Sequence, residues 1–172
     1  MARYVALLRG VNVGGVNLKM ADVRAAFTAI GFGNVSTVLA SGNVIFDAED
    51  GPAATKPRIE RALADTFGYP ARVHVLSLAE IERVITDFPF DADREGWHPY
   101  VIFLMGDEPR DVLLSVDLDA DLEAAAPGDG VIYWTVERGH TLTSAIGKAT
   151  ARARIKELTT TRNLRTLKKL VG

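Results

Sequence analysis

The feature that most constrains this chain is a switch in hydrophobic period that recurs in a fixed order. Residues 3–9 read as an apolar strand, and Met20, Val23, Phe27 and Ile30 then repeat at helical spacing until Gly31 and Gly33 stop the pattern. Two more apolar stretches, 35–40 and 44–46, flank Ser41-Gly42-Asn43, a turn whose glycine and asparagine tolerate positive φ, so they read as a hairpin. A second helix is predicted over 57–67, with Thr55 as cap, Pro57 in the first turn, and Ile59, Leu63 and Phe67 on one face. Residues 71–77 alternate, with Val73 and Val75 on one side and Arg72 and His74 on the other, as a half-buried strand does. The order β-α-β-β-α-β over 1–77 is that of the ferredoxin-like unit.

The second half repeats the theme. Ser77-Leu78-Ala79-Glu80 is a capping box that opens a short helix through Ile85, which Pro89 ends, and 88–98 reads as a loop or linker around Asp91, Asp93 and Gly96. A strand at 100–105, a helix at 111–116 and strands at 122–126 and 131–136 follow, the last two joined by Pro127-Gly128-Asp129-Gly130. Helical sequence runs over 144–158, and a last helix over 161–171 carries Leu164, Leu167 and Val171 at core spacing. The expected fold is α+β: two ferredoxin-like halves with antiparallel sheets and C-terminal helices packed on them. They divide as 1–77, a helix and linker at 78–98, and 99–172. The halves share an order of elements and no residue pattern.

With 172 residues, 48% of them apolar and 24% charged, the chain can bury a sizeable core. Its uncharged apolar runs are strand-sized, far below the roughly 20 residues of a membrane helix, and no membrane partner is expected. Without cysteine there is no disulfide, thiolate nucleophile or cysteine zinc site. Together with a start that lacks a secretory leader, this sets a cytoplasmic location as the expectation. The net charge of −2 conceals a segregation: residues 1–45 hold four basic groups and one acid, 46–139 eight and twenty, and 140–172 eight and one. Basic ends around an acidic middle mark either a polyanion-binding face or termini docked on that middle.

Arg9-Gly10-Val11-Asn12-Val13-Gly14-Gly15, between the first strand and a helix opening near Lys19, gathers backbone N–H groups and a helix dipole beside two cations. It fits neither the P-loop nor the dinucleotide fingerprint, since it lacks a GK[ST] end and its glycines do not space as G-x-G-x-x-G. One reading is an anion cradle, favoured by Arg9 at a strand end that faces a ligand crevice in α/β units. The other is a tight connection in which the glycines only permit the turn and Asn12 bonds its own backbone.

The blocks RGVNVGG with Lys19-Met20, SGNVIF at 41–46, and TTRN at 160–163 followed by Thr166 and Leu170 resemble the bacterial family known as domain of unknown function 1697, over essentially the whole chain. That resemblance implies a compact α+β protein with ferredoxin-like halves and no assigned activity, substrate or cofactor. Its pattern maps onto Arg9, Gly10, Asn12, Gly14, Gly15, Ser41, Gly42, Asn43, Thr161, Arg162 and Asn163. The chain departs from it at Val16, Ala40 and Leu164, where family members often carry lysine, glutamine and tryptophan. The missing lysine weakens a simple electrostatic account of the first loop, and the missing tryptophan weakens a stacking role near the last helix.

Lys148, Arg152 and Lys156 fall at i, i+4 and i+8, one basic stripe on the expected penultimate helix, where like charges are either solvated or met by a partner. Arg162 falls in the first turn of the expected last helix, where a cation opposes the dipole; an anion held with Thr160 and Thr161, or a salt bridge to the acidic middle, would reverse that. His74, His98 and His140 are isolated and read as surface or capping residues, and Ser41 lies outside any nucleophile elbow. Asp117, Asp119 and Asp121 lack the glycine and distal glutamate of a calcium loop. No metal and no cofactor is expected. The leading reading is a binder of a phosphate-bearing ligand, nucleic acid included, through Arg9, Gly10, Asn12, Gly14, Gly15, Lys19, the Ser41–Asn43 turn and the basic C-terminal helices. The strands nevertheless lack the aromatic motif of RNA-binding ferredoxin-like sheets. An enzyme for a small phosphorylated or carboxylated metabolite, clamped by Arg9 and Arg162 with Asn12 or Asn43 orienting it, and an assembly module with architectural motifs stay open. So does the oligomeric state.

Overall fold

The computed structural model describes residues 1–10, 17–39 and 42–172. The described chain forms two compact units, Met1–Glu82 with Lys168–Gly172, and Arg83–Leu167. Unit 1 runs β1 (Ala2–Leu8), α1 (Met20–Ala29), β2 (Gly33–Val38), β3 (Asn43–Ala48), α2 (Pro52–Phe67) and β4 (Val73–Ser77), and α3 (Leu78–Thr86) carries the chain across the division at Glu82. Unit 2 follows that order with β5 (Trp97–Leu104), α4 (Asp107–Ser115), β6 (Glu123–Pro127), β7 (Val131–Glu137), two short helices α5 (Ala145–Ala151) and α6 (Ala153–Glu157) in place of one, and β8 (Thr159–Asn163); α7 (Leu164–Val171) follows and crosses the division at Leu167. The sheets are ordered β2-β3-β1-β4 and β6-β7-β5-β8, every pairing antiparallel. This is the expected α+β architecture, with a ferredoxin-like unit in each half.

The even-numbered residues of β1 and β3 face the helices of unit 1, where Tyr4, Ala6, Leu8, Val44 and Phe46 pack with Val23 and Phe27 of α1 and Ile59 and Leu63 of α2. Phe27, Phe32 and Phe46 meet at ring separations of 4.7 to 6.1 Å, contacts that add to simple area burial. In unit 2, Ile102, Leu104, Ile132, Trp134 and Val136 pack with Leu113 of α4 and Ile146, Ala149 and Ile155 of the α5–α6 segment. Val5, Leu7, Val101 and Phe103, on the opposite sheet faces, are fully buried too. That two-sided burial is why the central strands read as the continuous runs YVALL and YVIFL rather than as alternating sequence.

Several elements differ from the sequence expectation. Helix α2 opens at Pro52, not at 57: Gly51 is the N-cap, Pro52 takes the first helical position, and Thr55 lies inside, its hydroxyl donating to the Gly51 carbonyl at 3.1 Å. Pro57 is inside the helix, close enough to its start that few intrahelical bonds are lost. Strand β5 reaches back to Trp97 across Pro99; β8 stops at Asn163 opposite Tyr100, so Pro99 lies beyond the ladder on that side, a position that suits a residue without an N–H. Helix α4 opens at Asp107, four residues before the expected start.

The largest correction falls at the C-terminal end. Helix does not run through 144–158: Arg152 takes extended geometry (φ −63°, ψ 135°) and separates α5 from α6. Nor are 161–163 helical, since Thr159–Asn163 is strand β8, the edge strand that completes the second sheet. Three successive β-branched threonines favour a strand, and this local signal outweighs the helical spacing of the leucines that follow. The capping box at 77–80 does form, with the Glu80 N–H donating to Ser77 Oγ at 3.1 Å.

Candidate functional site

At the C-terminal end of β1, three strands of unit 1 converge. The Leu8 N–H donates to the Gly42 carbonyl at 2.8 Å and the Arg9 N–H to the Arg72 carbonyl at 3.0 Å, which fixes Arg9 between the β2–β3 turn and the start of β4. Leu7 pairs with Asn43 on one side and His74 on the other. Cross-strand partners share a sheet face, so Asn43, Leu7 and His74 form one row, and Arg9, two residues beyond Leu7, continues that face. Gly10 follows at φ +67° and is exposed, a conformation that favours glycine.

His74 carries the strongest electrostatic signature of this corner. Burial, then the positive charges of Lys56 and Arg9, lower its pKa from 6.5 to about 4, so the imidazole is neutral near pH 7. Both of these charges are cations. Among the described residues Lys56 and Arg72 enter no ion pair, whereas Arg3 and Arg58 of the same unit are matched to Asp47 and Asp50. The charges of Lys56 and Arg72 beside a neutral donor–acceptor ring are chemically suited to an anion that also offers hydrogen-bonding oxygens.

The sequence-predicted residues divide between the two units. Arg9, Gly10, Gly42 and Asn43 come together as described, and Lys19 is the exposed N-cap of α1. Asn12, Gly14, Gly15 and Ser41 lie outside the described residues. Gly42 holds φ +90°, while the second positive φ of the turn belongs to Leu39 (+62°) rather than to Asn43. Asn43 is fully buried, and its side-chain N–H donates to the Val38 carbonyl at 2.8 Å, closing the turn.

Thr161, Arg162 and Asn163 belong to unit 2, on β8, and Arg162 is not at a helix start. The residue is 7% exposed, and its guanidinium donates to Thr160 Oγ1 at 2.7 Å and the Thr161 carbonyl at 3.0 Å. Asn163 caps α7, its side-chain oxygen accepting the Arg165 N–H at 2.9 Å. Lys148, Arg152 and Lys156 are exposed but sit on α5, at the break and on α6, so they form no stripe on a single helix. Sequence reasoning missed Lys56 and Arg72, and it read His74 as a surface or capping residue. The alternation of Arg72 with His74 was the available signal, and Lys56 had none, because only the packing of α2 beside β4 brings it near. Among the described residues no group of three or more His, Asp or Glu side chains could hold a metal ion. No described helix is long and apolar enough to cross a membrane.

Fold and site together define an α+β protein built from two tandem ferredoxin-like units, with a cationic corner at the end of the first strand. The chain belongs to the family described as protein of unknown function DUF1697, whose model matches residues 1–133. It is similar in structure to the conserved bacterial protein SP0830 from Streptococcus pneumoniae, at 26% identity and a TM-score of 0.81, over 99% of this chain and 97% of that one. A search of curated proteins found no match.

Proposed function

We propose that the end of β1 in unit 1 binds a phosphate-bearing ligand of the nucleic-acid type. The observation that supports this is the convergence on His74 of two cations, Arg9 and Lys56, from different elements. Positive charge brought from two elements to a half-buried, neutral ring offers an anion both charge and hydrogen-bonding groups. In this reading Arg9, Lys56 and Lys19 contact phosphate oxygens, Gly10 lets the backbone approach, and the Gly42–Asn43 turn holds Leu8 and hence Arg9 in place.

The test is binding of short RNA and DNA by fluorescence anisotropy, with thermal stabilisation in parallel, at low and moderate salt. Affinity should fall steeply as salt rises, by a logarithmic slope of roughly 0.7 to 0.9 per phosphate contacted. Arg9→Ala and Lys56→Ala should each weaken binding while leaving the melting temperature of the free protein within a few degrees. Salt-independent binding would overturn the reading. Stabilisation by one small phosphorylated metabolite and by no oligonucleotide would move the site to a metabolite. If Arg9→Ala lowers stability and nothing binds, the corner is architectural.

A further inference from the structure

A second site emerges in unit 2, independent of the corner at β1. Tyr100 on β5 and Trp134 on β7 are direct cross-strand partners, and their rings stack with centroids 5.1 Å apart and planes 28° from parallel. His98, two residues earlier on the same face of β5, continues the strip at 5.8 Å from Tyr100. The rear of the strip is fixed: the Trp134 indole N–H donates at 3.0 Å to Glu123, whose carboxylate also accepts the Ala145 N–H at 2.7 Å and the Ile146 N–H at 3.3 Å. Trp134 is 2% exposed, whereas Tyr100 and His98 are half-buried, so the two outer rings retain surface that the inner one has lost.

Two arginines flank the strip. On the β7 side the Arg138 N–H donates to the Gly96 carbonyl at 2.8 Å, and Arg138 lies two residues past Val136, the partner of His98, and so on the same face. On the other side β8 ends at Asn163 opposite Tyr100, and the chain turns into α7 with Arg165 in its first turn, its N–H held by Asn163. Both arginines are exposed, and among the described residues neither enters an ion pair. Burial, with the charges of Arg138 and Arg165 behind it, holds His98 below the usual histidine range, which keeps the ring neutral near pH 7. Its Nδ1 is buried with no hydrogen-bond partner among the described residues.

Flat rings with one face supported, a neutral imidazole and two uncompensated guanidinium groups match one ligand chemistry closely: a planar base joined to a phosphate. We propose that this strip binds a nucleotide, its base against Tyr100 and His98 and its phosphate between Arg138 and Arg165. The nucleotide is either free or a residue of a single strand. No linear motif announces the site, because Tyr100 and Trp134 stand on different strands and meet only through the β5–β7 register.

The experiment is an NMR titration of the full chain that follows the Tyr100 and His98 ring signals, with adenosine monophosphate, ribose 5-phosphate and a short oligoadenylate as probes. Saturable ring-current shifts are expected with adenosine monophosphate and oligoadenylate, and much smaller ones with ribose 5-phosphate. Arg165→Ala, at an exposed position, should weaken binding at least fivefold without unfolding the protein. Tyr100→Leu should weaken it at least tenfold. Oligoadenylate binding tighter than the monomer identifies a single strand as the source, and equal binding identifies the free nucleotide. Equal shifts with ribose 5-phosphate, no shift with any probe, or a response that survives both Tyr100→Leu and Arg165→Ala would overturn the proposal.

Discussion

The two units solve one topological problem twice, and they differ most where β1 and β5 hand over to their first helices. In unit 2 only Met105 and Gly106 separate β5 from α4, with Gly106 at φ 105° making the turn and Asp107 and Glu108 filling the first helical turn. In unit 1 the same connection spans residues 9–19, with Lys19 at the N-cap of α1 and Asp22 as the acid of its first turn. Two residues therefore suffice for this crossover, and acids at a helix start complement the dipole. The longer connection of unit 1 and the cations at its ends are not demanded by the topology. Of its described residues only Leu18 belongs to the core. What the fold does not require is where a binding function is sought.

The cores differ in kind as well, and that contrast can be tested by breaking each. Unit 1 rests on an aromatic cluster centred on Phe46, fully buried and in ring contact with Tyr4, Phe27 and Phe32. Phe46→Ala should cost about 4 kcal/mol in chemical denaturation. Unit 2 instead depends on a buried carboxylate: Glu123→Ala strips Trp134, Ala145 and Ile146 of their acceptor and should cost about 3 kcal/mol. Glu123→Gln, which keeps one acceptor oxygen, should cost less. Equal, small losses in both alanine variants would erase the distinction.

Next in size is a pH effect centred on unit 1. The pKa of His74 is about 4 in the folded protein against 6.5 for an ordinary histidine. The unfolded chain therefore binds the proton first, and stability is fully present above about pH 6.5 and declines as pH falls toward 4. The loss assigned to this residue is about 2 to 3 kcal/mol. His98 acts in the same direction in unit 2. Denaturation midpoints between pH 7 and pH 4 should show a shallower decline in His74→Gln than in the parent, and identical slopes would contradict the assignment. The smallest effect concerns the cap of α7: Asn163→Ala should cost about 1 kcal/mol.

Much of this contrast is legible in the sequence, because periodicity and turn residues report local preferences. The order of elements through β4, the capping box at Ser77 and the Gly42 turn all follow from short-range chemistry. The misjudged elements are those in which tertiary demand decides. Arg152 breaks a helix without any breaker residue, because the chain must return to the sheet as β8. Pro57 imitates a helix start that belongs to Pro52. The candidate sites divide the same way: Arg9 and Gly10 stand out in a linear motif, whereas Lys56, Tyr100 and Trp134 gain significance only through partners on other elements. Arg162, which the helical reading set at a helix terminus, is a buried strand residue with its guanidinium turned to Thr160 and the Thr161 carbonyl.

The most direct test of the central claim compares the two β-to-α connections in one experiment. Backbone amide signals of Arg9, Gly10 and Lys19 are followed beside those of Met105 and Gly106 while a short oligonucleotide is added at low and then moderate salt. Saturable shifts confined to the first set, reduced by salt and abolished by Arg9→Ala, with His74 titrating at a higher pH in the complex, are the result this account predicts. Silence at Arg9, Gly10 and Lys19, or equal shifts at both connections, would contradict it.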